Sequence, residues 1–140
     1  MICSPAIPVD SVGARIFAAA QALVGTRFRL HGRDPATGVD CIGLALCAHA
    51  GAGVVLAAPD DYPLRGWPRA RVENWILRAG LVRADGALRP GDVPVIDAGF
   101  GQWHFGIAGP GMLVHADARR RRVIQAPWHG DDMFGCWRAA

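Results

Sequence analysis

Two features of this sequence could act together on an acyl group: a cysteine heading an apolar helix, and two histidines on short strands. Cys41 follows a glycine-containing loop and opens the run CIGLALCAHA. In the first turn of a helix, free backbone N–H groups and the helix dipole stabilise a thiolate and lower its pKa. The same N–H groups could receive an oxyanion during acyl transfer. The alternative is a cysteine that merely packs beneath the helix start. A thiolate nucleophile needs an imidazole to accept and return protons, and His31, His49, His104, His115 and His129 are available. His104 lies in WHFGIA and His115 in MLVHA. A turn of even length centred between Gly109 and Pro110 sets these two directly opposite on one sheet face. Pro110 suits a two-residue hairpin turn poorly, so a four-residue turn over 108–111 is expected, which keeps that register. One histidine would then be the base and the other would orient it. Two separately hydrogen-bonded sheet histidines are the alternative.

Other chemistries find little foothold. The serines are Ser4 and Ser11, both near the N-terminus, and the threonines are Thr26 and Thr37. There is no GxSxG elbow, no glycine-rich phosphate loop and no HExxH zinc motif. The cysteines at 3, 41, 47 and 136 form no CxxC pair, which excludes zinc-ribbon and thioredoxin-like readings. Cys3, Cys47 and Cys136 read as structural. Every basic residue is arginine, a side chain that holds carboxylates in a bidentate fork. Arg27, Arg29 and Arg33 could receive substrate carboxylates, or form a solvated basic loop. His31 beside them could touch substrate or be an ordinary loop histidine. The run Arg119–Arg122 could meet an anionic polymer, or serve as a charged turn that discourages edge pairing. A formal charge of +3 is too small to argue for nucleic acid.

The elements that must position these groups are readable from pattern. Residues 10–24 read as a helix capped by Asp10 or Ser11, with Val12, Ile16, Phe17, Ala20 and Leu23 near one face and Gly25 as its stop. Residues 25–39 read as an irregular loop. A second helix runs from Cys41 to Ala50, with Asp40 as N-cap and Gly51 just past its end. It is apolar on nearly all sides and therefore buried. Gly53 to Tyr62 is a loop or short strand, and a third helix spans Pro68–Arg78, closed by Gly80. Strands follow over 93–96, 103–107, 112–116, 123–125 and 134–138. Helices first and strands later make an α+β class with an antiparallel sheet. The length suits a single domain over residues 1–140. The five tryptophans are expected in the core or in packing roles.

These residues also match a known family. ALVGTRFRLHGRDPATGVDCIGLAL resembles the NlpC/P60 signature, in which a helix and a Gly-x-x-Tyr/Phe-x-x-x-Gly loop lead to Asp-Cys-x-Gly, here Asp40, Cys41 and Gly43. RPGDVPVI is similar to that family's Arg-x-Gly-Asp strand entry, and WHFGIAGPGMLVHA to its paired-histidine hairpin. The resemblance extends from about Ala14 to Gln125. It implies a papain-like α+β fold with the nucleophile's helix packed on an antiparallel sheet. It implies Cys41 as nucleophile, His104 as general base and acid, and His115 as the residue orienting the imidazole. It also implies amide hydrolysis in the stem peptides of bacterial peptidoglycan, with no metal or organic cofactor. Departures bear on the substrate. Ile42 replaces a common small serine and resembles a phage-tail-associated subgroup, Phe28 lacks a frequent tyrosine hydroxyl, and Leu30–His31 replaces Trp–Gly.

No stretch approaches the roughly 20 apolar residues of a membrane span. The N-terminus MICSPAIPVD has no signal-peptide pattern. A chain cytoplasmic as synthesised, carried to the wall by a phage tail or prophage-derived particle, is the expectation. A catalytically weak structural component of such a tail is one alternative. A thiol amidase or acyltransferase on a non-wall substrate is another.

Overall fold

The computed structural model describes residues 11–58, 66–99 and 102–140; Cys3, Ser4, Asp10 and the 59–62 end of the expected loop fall outside them. Helix α1 (Val12–Ala22) starts where the Ser11 hydroxyl accepts the Ala14 N–H at 3.1 Å. It is shorter than expected at its C-terminal end, where Leu23 is the cap and Gly25 turns the chain at φ +94°. Ile16 and Ala20 are buried, whereas Val12 is exposed. Helix α2 (Cys41–Gly51) runs one residue further than expected, so Gly51 is its last residue and not its stop. It is buried along most of its length, as an all-round apolar sequence requires. Helix α3 (Arg69–Ala79) follows Pro68 and ends on Gly80 in the left-handed conformation. No described helix is long and apolar enough to cross a membrane.

The strands form three antiparallel sheets where one was expected. β1 (Arg33–Asp34) and β2 (Gly38–Val39) make a small hairpin inside the expected loop. The chain before them is also paired: Gly25, Thr26 and Phe28 share backbone hydrogen bonds with Val123 and Arg121, and Arg27 bridges Arg122. Backbone hydrogen bonding, invisible in the glycine content, makes this segment an extended edge.

The remaining strands are β3 (Leu81–Arg83), β4 (Val93–Asp97), β5 (Trp103–Phe105), β6 (Ile107–Gly109), β7 (Met112–Asp117), β8 (Arg122–Pro127) and β9 (Met133–Ala139). One sheet has the order β3–β9–β4–β5 and the other β6–β7–β8. The expected strand 103–107 is therefore cut at Gly106, where a Cβ would run into the Leu113 side chain. The hairpin register is corrected too. Ile107 pairs with Val114 and Gly109 with Met112, around a two-residue Pro110–Gly111 turn. Proline supplies the first corner, and Gly111 at φ +63° supplies the second, which fits a type II turn.

Helix α2 lies at the centre and packs on α1, β5 and β7. Trp75 links α3 to β5 through tilted ring contact with Phe105 at 6.1 Å, and Trp137 is fully buried.

One ion pair pins the strand entry at Arg89-Pro90-Gly91-Asp92. The buried Asp92 carboxylate takes Arg138 Nε at 2.7 Å and Nη2 at 2.8 Å, and also accepts the Arg89 N–H at 2.9 Å. Removing the cation leaves a buried carboxylate uncompensated, which costs about 3–5 kcal/mol. Arg138→Leu is expected to lower the unfolding free energy by about 3 kcal/mol in urea titration. Asp85→Asn, at an exposed pair 3.9 Å from Arg83, should cost under about 0.5 kcal/mol. Equally small losses at both positions would contradict this account of Asp92.

Candidate active site

The Asp40 carboxylate is wholly buried and fully engaged. Its Oδ1 accepts the N–H groups of Ile42 at 3.1 Å and Gly43 at 2.8 Å, and its Oδ2 accepts that of His31 at 2.9 Å. One side chain thereby fixes both the first turn of α2 and the loop that crosses it. The crossing is close enough that a Cβ on Gly43 would collide with the Gly32 carbonyl. Only glycine fits the last position of Asp-Cys-x-Gly without moving that loop.

Cys41 stands in this turn, 2% exposed. Its sulfur lies against the backbone N–H groups of Phe105, Cys41 and Ile42. Burial first, and the Asp40 charge second, push the thiol up to about 12, while those N–H groups pull the other way. The lowered pKa expected at a helix start is thus overturned: desolvation and the capping anion outweigh the dipole. Asp40 also takes the Ile42 and Gly43 N–H groups that the helix start would otherwise offer an oxyanion.

Strand β5 delivers the Phe105 N–H to the sulfur, and His104 is the residue before it on that strand. His104 Nε2 lies 2.9 Å from His115 Nδ1, with the rings nearly perpendicular. The side chains meet although their backbones are not opposite one another. The register of β6 on β7 differs from expectation by two residues, and His104 lies before the break at Gly106, on β5, so it reaches His115 from the neighbouring sheet. Burial, and then His115, push His104 down to about 4, against the opposing charge of Asp117. Burial lowers His115 as well; Asp117 opposes this and Arg120 reinforces it. At neutral pH the free site therefore holds a neutral thiol and neutral imidazoles.

Asp117 is a member of this group that the sequence reading did not single out. It follows His115 by two residues on one face of β7, and its Oδ1 accepts the N–H groups of Arg119 at 2.8 Å and Arg120 at 3.2 Å. Burial works against its ionisation, but those N–H groups, then His115 and Arg120, hold the carboxyl below its ordinary range. The period-two spacing of His115 and Asp117 was the available signal.

The other expected residues separate. Arg33 turns inward, where Nη1 donates to the Ala58 carbonyl at 2.9 Å; its own carbonyl accepts the Cys47 thiol at 3.2 Å. His31 is exposed at φ +60° and adjoins the site through its backbone bond to Asp40. Arg27 and Arg29 are exposed, and Arg27 bridges Arg122 on β8. His49 is buried with Nδ1 2.7 Å from the Ala45 carbonyl of its own helix, away from this chemistry. Among the described residues, no group of three or more His, Cys, Asp or Glu side chains could hold a metal ion.

No family model matches the chain, and no curated protein does. Solved structures do. The NlpC/p60 domain of the peptidoglycan hydrolase SagA is 24% identical with a TM-score of 0.59, over 89% of this chain and 96% of that one. NlpC2 from Trichomonas vaginalis is 16% identical with a TM-score of 0.67, over 95% of this chain; the match spans about half of NlpC2, 48% of its length. This chain has the NlpC/p60 fold. RipD from Mycobacterium tuberculosis, described as a non-catalytic NlpC/p60 domain protein adapted to peptidoglycan binding, is 18% identical with a TM-score of 0.58. That match covers 93% of this chain and 98% of RipD. An NlpC/p60 fold is thus compatible with both hydrolysis and binding, and the side chains must decide.

Within this NlpC/p60 fold, Asp117 is the charge that favours protonation of both imidazoles. Asp117→Asn should move the NMR titration midpoints of His104 and His115 to still lower pH. Midpoints that stay where they are in the wild type would show that this carboxylate does not act on the pair.

Proposed function

We propose that this chain is a thiol hydrolase that cuts amide bonds in the stem peptides of bacterial peptidoglycan. The observation that carries the proposal is the meeting of β5 with the head of α2. There the Cys41 sulfur faces the Phe105 N–H, and the preceding residue, His104, is bonded to His115 at 2.9 Å. The fold shared with the peptidoglycan hydrolase SagA supports the choice of substrate.

In this reading the His104 Nε2–H hydrogen-bonds to His115 Nδ1, which leaves the unprotonated His104 Nδ1 to take the thiol proton. Both groups are neutral at rest, so the proton moves as sulfur attacks the carbonyl and not before. The S–C bond forms and the oxyanion is met by backbone N–H groups at the junction of Cys41 and Phe105. The C–N bond then breaks, and the imidazolium returns the proton to the leaving amine. Water, deprotonated by the same imidazole, cleaves the thioester, releasing a carboxylic acid and restoring the thiol. Asp117 favours the imidazolium that forms midway. No metal or organic cofactor is called for. Carriage by a phage tail or prophage-derived particle belongs to the same proposal, and its support is Ile42 after the nucleophile.

A second reading, a wall-binding domain without turnover, is favoured by the burial of Cys41 and its raised pKa. Incubation with purified muropeptides separates the two. Wild type should release peptide fragments, and folded Cys41→Ala and His104→Ala should each lose at least about 100-fold, the lower range for a lost acid–base group. Binding without cleavage by wild type would establish the second reading. Full activity in folded Cys41→Ala would refute the first.

A further inference from the structure

The face that carries the histidine pair continues into a row of arginines. On β7, His115 and Asp117 share a face; Asp117 is the cross-strand partner of Arg122 on β8, and Arg122 bridges Arg27 on the neighbouring segment. Directly opposed residues of antiparallel strands point to one side of the sheet. Asp117, Arg122 and Arg27 therefore form a line across three strands, at about 4.8 Å per strand. Arg29 follows Arg27 by two residues, and both are exposed while Phe28 between them is half-buried against the core. Arg119, Arg120 and Arg121 occupy the turn that joins β7 to β8, and Arg121 accepts the Phe28 N–H through its carbonyl. Six of the chain's 15 basic residues are thus gathered beside the site.

Two like charges directly opposite on paired strands destabilise the pairing. Here Arg27 and Arg122 are so placed, and among the described residues Asp117 is the carboxylate paired with this group, at 4.0 Å from Arg120 Nε. A local conflict of that kind, kept on an exposed edge, marks a surface built for an external anion. Its form is open: the Arg120 side chain is 65% exposed. An exposed ion pair contributes only about 0–1 kcal/mol, so useful affinity requires many charges engaged together. That favours a polyanion over a single carboxylate. None of the exposed large hydrophobic side chains among the described residues is aromatic, so among them no fully exposed Trp, Tyr or Phe accompanies the charge to stack nucleobases.

We propose that this arginine row docks a phosphodiester polymer without bases, of the kind attached to a cell-wall glycan, and so tethers the chain beside its substrate. The wall setting rests on the proposed function; the binding itself does not. It is measured with Cys41→Ala protein, shown to be folded, so that cleavage plays no part in the result. The probe is poly(glycerol phosphate), titrated at several salt concentrations. Binding should weaken steeply with salt, and Arg27→Gln/Arg29→Gln/Arg122→Gln should reduce affinity at low salt at least tenfold. The triple variant's log–log salt slope should fall by about 2, at about 0.7 for each charge lost against a single-stranded polyanion. Absence of wild-type binding, or equal binding by the folded triple variant, would overturn the proposal. Tighter binding of a single-stranded oligonucleotide of equal charge would replace it with a nucleic-acid partner. Hydrolysis of muropeptides with no polymer binding would leave the proposed function standing and this inference refuted.

Discussion

A single buried carboxylate holds three parts of the site in place. Asp40 closes the N-terminus of α2, anchors the loop at His31, and by both contacts fixes where the Cys41 sulfur stands. Gly32, Gly38 and Gly43 take the close approaches that follow from this arrangement, since each lies where a Cβ would strike neighbouring backbone or side chain. The far side of the sulfur is supplied by β5, whose Phe105 N–H reaches it from the sheet. Helix and sheet meet at the sulfur, and the carboxylate that orders the helix start also holds the loop.

That arrangement has an electrostatic consequence. The anion that orders the helix start is also the second-largest cause, after burial, of the raised Cys41 pKa. Geometry and ionisation therefore pull in opposite directions at this position. The histidines show the same tension, because burial lowers His104 and His115 while Asp117 pulls back. A site in this state does not hold a thiolate–imidazolium pair in advance. In the proposed mechanism, charge separation therefore waits until a carbonyl is present to take the electrons.

Much of this was legible in the sequence, for identifiable reasons. Asp40 before an apolar run is a strong helix-start signal, and the helix begins at Cys41 as expected. The histidines do lie together, but His104 on β5 and His115 on β7 meet across the break at Gly106 and not within one continuous hairpin. The register itself was misread because Pro110 was weighed alone, whereas Pro110 and Gly111 together satisfy a two-residue turn. The division of 103–107 between two sheets depends on Leu113 filling the space beside Gly106, a tertiary fact. So does the inward course of Arg33 to the Ala58 carbonyl. The largest cause of the Cys41 shift was out of reach for the same reason: the dipole, the N–H groups and the Asp40 charge are local, but desolvation depends on what the rest of the chain lays over the thiol.

The central claim is that the Cys41 sulfur forms a covalent bond to the substrate's acyl group. Acid-quenching the wild-type protein during turnover of a muropeptide, followed by mass analysis of its proteolytic peptides, tests this directly. The account predicts a thioester of the substrate's acyl half on the peptide containing Cys41. Turnover with no adduct there, or with the adduct on another residue, would contradict it.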